Sequence, residues 1–207
     1  MFGEQSWEER YRAHTGVWSG RPNPQLVAEA SGLTAGAALD AGSGEGADAH
    51  WLAVRGWQVT AVDFATTALQ RGAAQAEALG AGVAGRIRWV HADLTTWAPG
   101  EEHFDLVSAQ YLHLPAAARQ PLFARLATAV APGGTLLIVG HHPSDLQTTM
   151  PRPPTPELFY TADEVAGTLD PARWDILVTG ARPRPATDPA GQEITIHDAV
   201  LRARKRP

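Results

Sequence analysis

The sequence has no cysteine among its 207 residues and no apolar run near the roughly 20 residues that a membrane-spanning helix requires. The first absence excludes a disulfide framework, a thiolate zinc or iron–sulfur site and a cysteine nucleophile. The second leaves no expected membrane span. An excess of positive charge is also missing: 17 basic against 22 acidic residues give a net charge of −5. Such a chain has no overall attraction for polyphosphate, so nucleic acid is not an expected partner. Its basic cluster, Arg202-Ala203-Arg204-Lys205-Arg206, reads as a frayed or solvated strand end. The opening residues Met1–Glu9 lack the basic and apolar regions of a secretory signal, and a cytoplasmic location is expected.

What is present alternates short β-branched runs with longer alanine-rich amphipathic segments, the pattern of an α/β fold with a parallel sheet covered by helices. Its length suits one domain. Ser6 and Glu9 are spaced as a capping box, predicting a helix to about Ala13. Asn23 as N-cap and Pro24 as first helical residue predict a second, ending near Gly32. Strands are then predicted at Ala37–Asp40, Gln58–Asp63, Ile87–His91, Phe104–Ser108 and Thr135–Val139. Helices over about 48–55, 66–79 and 115–130 join them, giving five parallel strands. The prolines at 151, 153, 154 and 156 predict a loop. Thr161 and Glu164 form a further capping box, followed by strands around 173–179 and 193–202. The Pro- and Gly-rich connection between these two reads as a long hairpin loop, making the last strand antiparallel to its neighbours.

The stretch most informative about chemistry is Leu39-Asp40-Ala41-Gly42-Ser43-Gly44-Glu45-Gly46-Ala47, between the first strand and its helix. Glycines there allow a sharp turn and close approach to a ligand in the crevice beyond the strand ends. Gly42, Gly44 and Ala47 also fit the G-x-G-x-x-A fingerprint of dinucleotide binding, and Asp63 ends the second strand where ribose hydroxyls bind under either reading. Asp40 separates the two: a carboxylate just before the loop repels a pyrophosphate and attracts a cationic amino-acid group. Asp93, ending the third strand, can accept from an exocyclic adenine amine. Pro132-Gly133-Gly134-Thr135-Leu136-Leu137 leads into the fifth strand.

Taken together, these motifs resemble the class I S-adenosylmethionine-dependent methyltransferases over about Leu39–Gly140. The resemblance implies a Rossmann-like sheet of seven strands, mostly parallel with the last antiparallel, with helices on both faces. It also implies methyl transfer from S-adenosylmethionine to an acceptor, releasing S-adenosylhomocysteine. By the same resemblance Asp40 binds the methionine ammonium, Gly42 and Gly44 make room for the amino-acid end and Asp63 holds the ribose. Phe64 packs on the adenine, Asp93 and the Leu94 amide meet its edge, and Gln110 contacts the methionine backbone. The segment Trp7–Tyr11 with Trp18–Pro24 is similar to the small tellurite-resistance and thiopurine methyltransferases. That implies an N-terminal lid, residues 1–34, in which Tyr11, Trp18 and Arg21 cover cofactor and substrate. Residues 35–140 then form the cofactor core and 141–207 the substrate side of one domain.

For the acceptor, small size and the absence of an inserted domain or basic groove favour a small molecule. A hydroxyl acceptor needs a general base, for which His141 or His142 leads, with His113 second; a soft sulfur, selenium or tellurium nucleophile needs none. Tyr111 and Phe159 are expected walls of the acceptor pocket. Converging imidazoles, His197 among them, could bind a metal, but no close spacing demands one and none is expected. A dinucleotide-dependent oxidoreductase and a non-catalytic cofactor-binding module are the alternatives.

Overall fold

The computed structural model describes residues 3–101 and 103–207. In chain order these contain α1 (Glu4–Ala13), α2 (Pro24–Ala30), β1 (Ala37–Ala41), α3 (Ala47–Val54), β2 (Gln58–Asp63), α4 (Thr66–Ala78) and α5 (Ala81–Ala84). There follow β3 (Ile87–His91), β4 (Phe104–Gln110), α6 (Ala116–Thr128), β5 (Val130–His141), α7 (Ala162–Ala166), β6 (Trp174–Thr187) and β7 (Glu193–Lys205). Two short 3₁₀ turns, Pro143–Gln147 and Pro156–Leu158, lie between β5 and α7.

The strands form one sheet in the order β3-β2-β1-β4-β5-β7-β6, in which β7 runs antiparallel to both β5 and β6. The other pairings are parallel. The chain winds outward from β1 to β3, then returns to place β4 on the other side of β1. That reversal opens a crevice beyond the carboxyl ends of β1 and β4, the usual ligand position in such sheets. Both faces of the sheet are buried in apolar clusters, one including Leu39, Val107, Leu136 and Leu201, the other Leu26, Leu52, Leu106 and Leu137. No described helix is long and apolar enough to cross a membrane.

Several local expectations hold for the stated reasons. The Asn23 side chain accepts the Gln25 amide at the start of α2, and Thr161 and Glu164 form the complete capping box of α7. Three expectations need correction. Ser6 does not cap α1: the helix begins at Glu4, and the Gly3 carbonyl takes the Ser6 and Trp7 amides. The connection after β6 is not a long loop, since β6 continues through Pro183 and Pro185 to Thr187. It is an edge strand, where every second amide faces away from the sheet and a proline there removes no ladder bond. The basic C-terminal run is not frayed but lies in or beside β7, where Arg202 pairs with Glu29 and Lys205 donates to the Val130 carbonyl at 2.6 Å. Arg204 and Arg206 both reach Asp175.

Candidate active site

The crevice at the β1/β4 reversal is a cavity of about 690 Å³, within the range of small-molecule sites. One end is acidic. The loop after β1 turns through Gly42 and Gly44 at φ of 80° and 52°, and a side chain at either would collide with Leu112 or with the Tyr11 hydroxyl. The Asp63 carboxylate braces this loop, accepting the Gly44 amide at 2.9 Å and the Ala65 amide at 2.8 Å. Burial raises the Asp63 pKa, and those amides together with that of Phe64 partly restrain the rise. Asp40 is buried, and burial together with the charges of Asp48 and Asp63 pushes it well above the ordinary carboxylate range. Asp48, in the first turn of α3, is raised by burial to about 6 while accepting the Asn23 amide at 2.6 Å. Asp40 Oδ2, Ser43 Oγ and Gln110 Oε1 are buried with no hydrogen-bond partner. Buried polar atoms of this kind are costly unless something binds them.

The other end is cationic. His113, after β4, and His141, at the end of β5, stack with ring centroids 5.1 Å apart, and Tyr111 lies 4.6 Å from His141. Burial first, then Arg152 and Arg10, drives the His113 pKa down to about 4. Burial, Arg152, His113 and Arg184 drive His141 further, to about 2. Both imidazoles are therefore neutral near pH 7. Behind Arg152 stands fully buried Asp145, 2.6 Å from its Nη2, and behind Arg184 stands fully buried Asp198, 3.0 Å from its Nε. Both arginines line the cavity.

Over the acidic end lies the N-terminal segment. The Trp18 indole donates to the Tyr11 hydroxyl at 2.8 Å, and Glu8 accepts from the amide and hydroxyl of Thr67, tying α1 to α4. Arg71 joins Glu45 to the His14 carbonyl. Tyr11 is buried, whereas Trp18 remains 48% exposed while lining the cavity.

Residues 38–134 match the family described as a methyltransferase domain. That segment is therefore a methyltransferase domain. Among solved structures the chain is similar to a protein whose structure is titled conversion of a disulfide bond into a thioacetal group during echinomycin biosynthesis. The match has 26% identity over 98% of this chain and 91% of that one, with a TM-score of 0.76. It shares its fold with TehB from Haemophilus influenzae (20% identity, 98% and 67% covered, TM-score 0.72). It also shares it with the N-methyltransferase NodS from Bradyrhizobium japonicum WM9 in complex with S-adenosyl-L-homocysteine (17% identity, 99% of each chain, TM-score 0.70). No curated protein sequence matches the chain.

The acidic end of this methyltransferase suits its cofactor. Three carboxylates with raised pKa values and orphaned acceptors match an ammonium, a sulfonium and a diol, and they would repel the pyrophosphate of a dinucleotide. The dinucleotide oxidoreductase alternative is thereby set aside. Of the residues singled out from sequence, Tyr11, Trp18, Arg21, Gly42, Gly44, Asp63, Phe64, Asp93, Leu94, Gln110, Tyr111, His113 and His141 line the cavity. Asp40 lies beside them. Asp93 already accepts the Thr95 amide with one oxygen, at 2.8 Å.

Besides Asp40, two expected residues, His142 and Phe159, do not line it. His142 caps the Pro143–Gln147 turn, its Nδ1 accepting the Ser144 amide at 3.2 Å, which holds the ring at the start of that turn. Phe159 is buried, 6.1 Å from the His141 ring, and packs behind the wall. Sequence reasoning missed Arg152, Arg184, Asp145 and Asp198. The Arg-Pro-Arg-Pro alternation of 182–185 and a lone carboxylate before Ala199-Val200-Leu201 were the available signals. His197 contacts Ser144 Oγ at 3.3 Å, and no group of three or more described His, Asp or Glu residues is arranged to hold a metal.

Proposed function

We propose that this methyltransferase acts on a small molecule whose accepting atom arrives as a soft anion, a thiolate or its selenium or tellurium counterpart. The observation that carries the reading is the suppressed basicity of His113 and His141 beside two guanidiniums. A useful general base has a pKa near the working pH, and neither imidazole does. A hydroxyl at that end would meet no imidazole basic enough to take its proton, whereas an anion is drawn to the arginines. The relative at 26% identity is titled for chemistry at sulfur, which supports the same class.

When bound, S-adenosylmethionine supplies a methyl carbon on a cationic sulfur, whose bond to that carbon breaks as the acceptor's lone pair forms the new one. The chain's own contribution is positioning. Asp40 and Gln110 hold the ammonium, with Gly42 and Gly44 leaving room for it, and Asp63 holds the ribose hydroxyls. Phe64 packs on the adenine while Asp93 and the Leu94 amide meet its edge. Of the expected lid, residues 1–34, the first two lie outside the described residues, and 3–34 act as the lid in which Tyr11, Trp18 and Arg21 exclude water; 35–140 carry the cofactor and 141–207 supply the acceptor side.

A second reading is favoured by the two histidines in the cavity: transfer to a hydroxyl, amine or imidazole with His113 or His141 as base. The test follows S-adenosylhomocysteine release with thiols, selenite, tellurite, phenols, amines and imidazoles, with and without divalent metal. Turnover on a thiol or selenite that survives a combined His113→Gln and His141→Gln change supports the soft acceptor. Turnover confined to hydroxyl or nitrogen acceptors, and lost in that variant, supports the second reading.

A further inference from the structure

Asp198 is a lone carboxylate in the apolar run of β7, fully buried and set behind the residues that line the cavity. Its oxygens accept from three separate elements. The Tyr111 hydroxyl donates at 2.8 Å, Arg184 Nε at 3.0 and 3.1 Å, and Gln25 Nε2, from α2, at 3.1 Å. The Gln25 Oε1 in turn accepts from Arg182, which also pairs with Glu29. Two of the three donors to Asp198, Tyr111 and Arg184, line the cationic end of the cavity.

Among the described residues Tyr111 alone, apart from glycines, has a positive φ, 51°. A tyrosine persists in that conformation only where its surroundings over-determine it. Here it is pinned at both ends, by its hydroxyl on Asp198 and by its amide on the Val139 carbonyl at 2.8 Å. Burial and the Asp198 charge both raise the phenol's pKa, so it stays protonated and keeps donating. Its ring then lies against His141, with centroids 4.6 Å apart and a tilt of 36°.

We propose that Asp198 is a positioning residue of the acceptor end, fixing the Tyr111 ring and the Arg184 guanidinium as one wall against which the acceptor is held. The proposal rests on the reading that the His113–His141 end receives the acceptor. A merely structural Asp198 would change stability alone; a positioning Asp198 sets the place of a ring and the affinity for the acceptor.

Two variants test it. Asp198→Asn keeps the size and removes the charge, and Tyr111→Phe removes the phenol hydroxyl alone. The first readout needs no acceptor: proton NMR of the His141 imidazole, which sits in the ring current of Tyr111. Both variants are expected to shift that resonance while S-adenosylhomocysteine affinity, by calorimetry, stays within about twofold. The second readout is methyl transfer to thiophenol, with KM raised about tenfold in Asp198→Asn and kcat changed less. An unmoved His141 resonance, or a loss of cofactor affinity as large as the loss in acceptor KM, overturns the proposal. If Asp198→Asn does not fold, Tyr111→Phe decides by the same resonance. If the unaltered enzyme transfers nothing to thiophenol or any other thiol, the soft-acceptor reading falls, and the NMR result still decides the role of Asp198.

Discussion

The two ends of one cavity carry opposite charge, and each perturbs its own ionisable groups in the opposite sense. At the end built by the turn after β1, burial raises the pKa values of three carboxylates, and the charges of Asp48 and Asp63 add to the rise at Asp40. At the end built by the segments after β4 and β5, two imidazoles sit among arginines and their pKa values fall. The first arrangement suits a cationic ligand and the second an anionic one. A methyl donor with a positive sulfur and an acceptor with a negative one would meet between them, brought together by a field already fixed in the fold.

The largest effect expected from breaking this contrast is at Asp63, which both braces the glycine loop and lines the cavity. Asp63→Ala should weaken S-adenosylhomocysteine binding about 100-fold or more, measured by calorimetry, since two charge-assisted hydrogen bonds to the loop go with it. At the other end, Arg152→Gln should raise the KM for thiophenol about tenfold while leaving cofactor affinity within about twofold. A parallel loss of both would mean that the two ends are not separate.

Stability against pH sharpens the comparison. A carboxylate whose pKa is raised by folding takes up its proton before the unfolded chain does, so the acidic end gains stability as pH falls through about 6 towards about 4. A histidine whose pKa is lowered by folding does the reverse: below about 6.5 the unfolded chain is protonated first and stability is lost. The two ends thus oppose each other over the same window. Asp48→Asn should make the melting temperature fall more steeply between pH 7 and 5, and His141→Gln should make it fall less steeply. The reverse ordering in thermal melts would contradict the assignment of these shifts.

Most of the acidic end was legible in the sequence and most of the cationic end was not. Asp40, the glycines, Asp63 and Asp93 lie at ends of consecutive parallel strands, where strand order alone brings them together. Arg184 and Asp198 meet Tyr111 and His141 because β7 inserts antiparallel between β5 and β6, which pairs His141 with Asp198 and Arg182 with the same residue, and Arg152 joins them from the segment after β5. No local pattern announces that juxtaposition. His142 misled for a related reason: one position after His141, at the strand end, it turns to cap the next helical turn rather than line the cavity. Pro183 and Pro185 misled because a proline reads as a break until its strand is known to be an edge.

The smallest effect lies outside both ends. Thr161→Ala removes the capping box of α7 and should cost about 1 kcal/mol of stability in denaturant unfolding, with no change in cofactor affinity.

The central claim is that the acceptor end holds and attracts but does not deprotonate. Its most direct test is the pH dependence of methyl transfer to thiophenol by the unaltered enzyme and by the combined His113→Gln and His141→Gln variant. The expected rate follows the thiolate fraction, with a profile of the same shape in both proteins. A rate that collapses in the double variant, or that follows a protein group instead of the thiol, would contradict it.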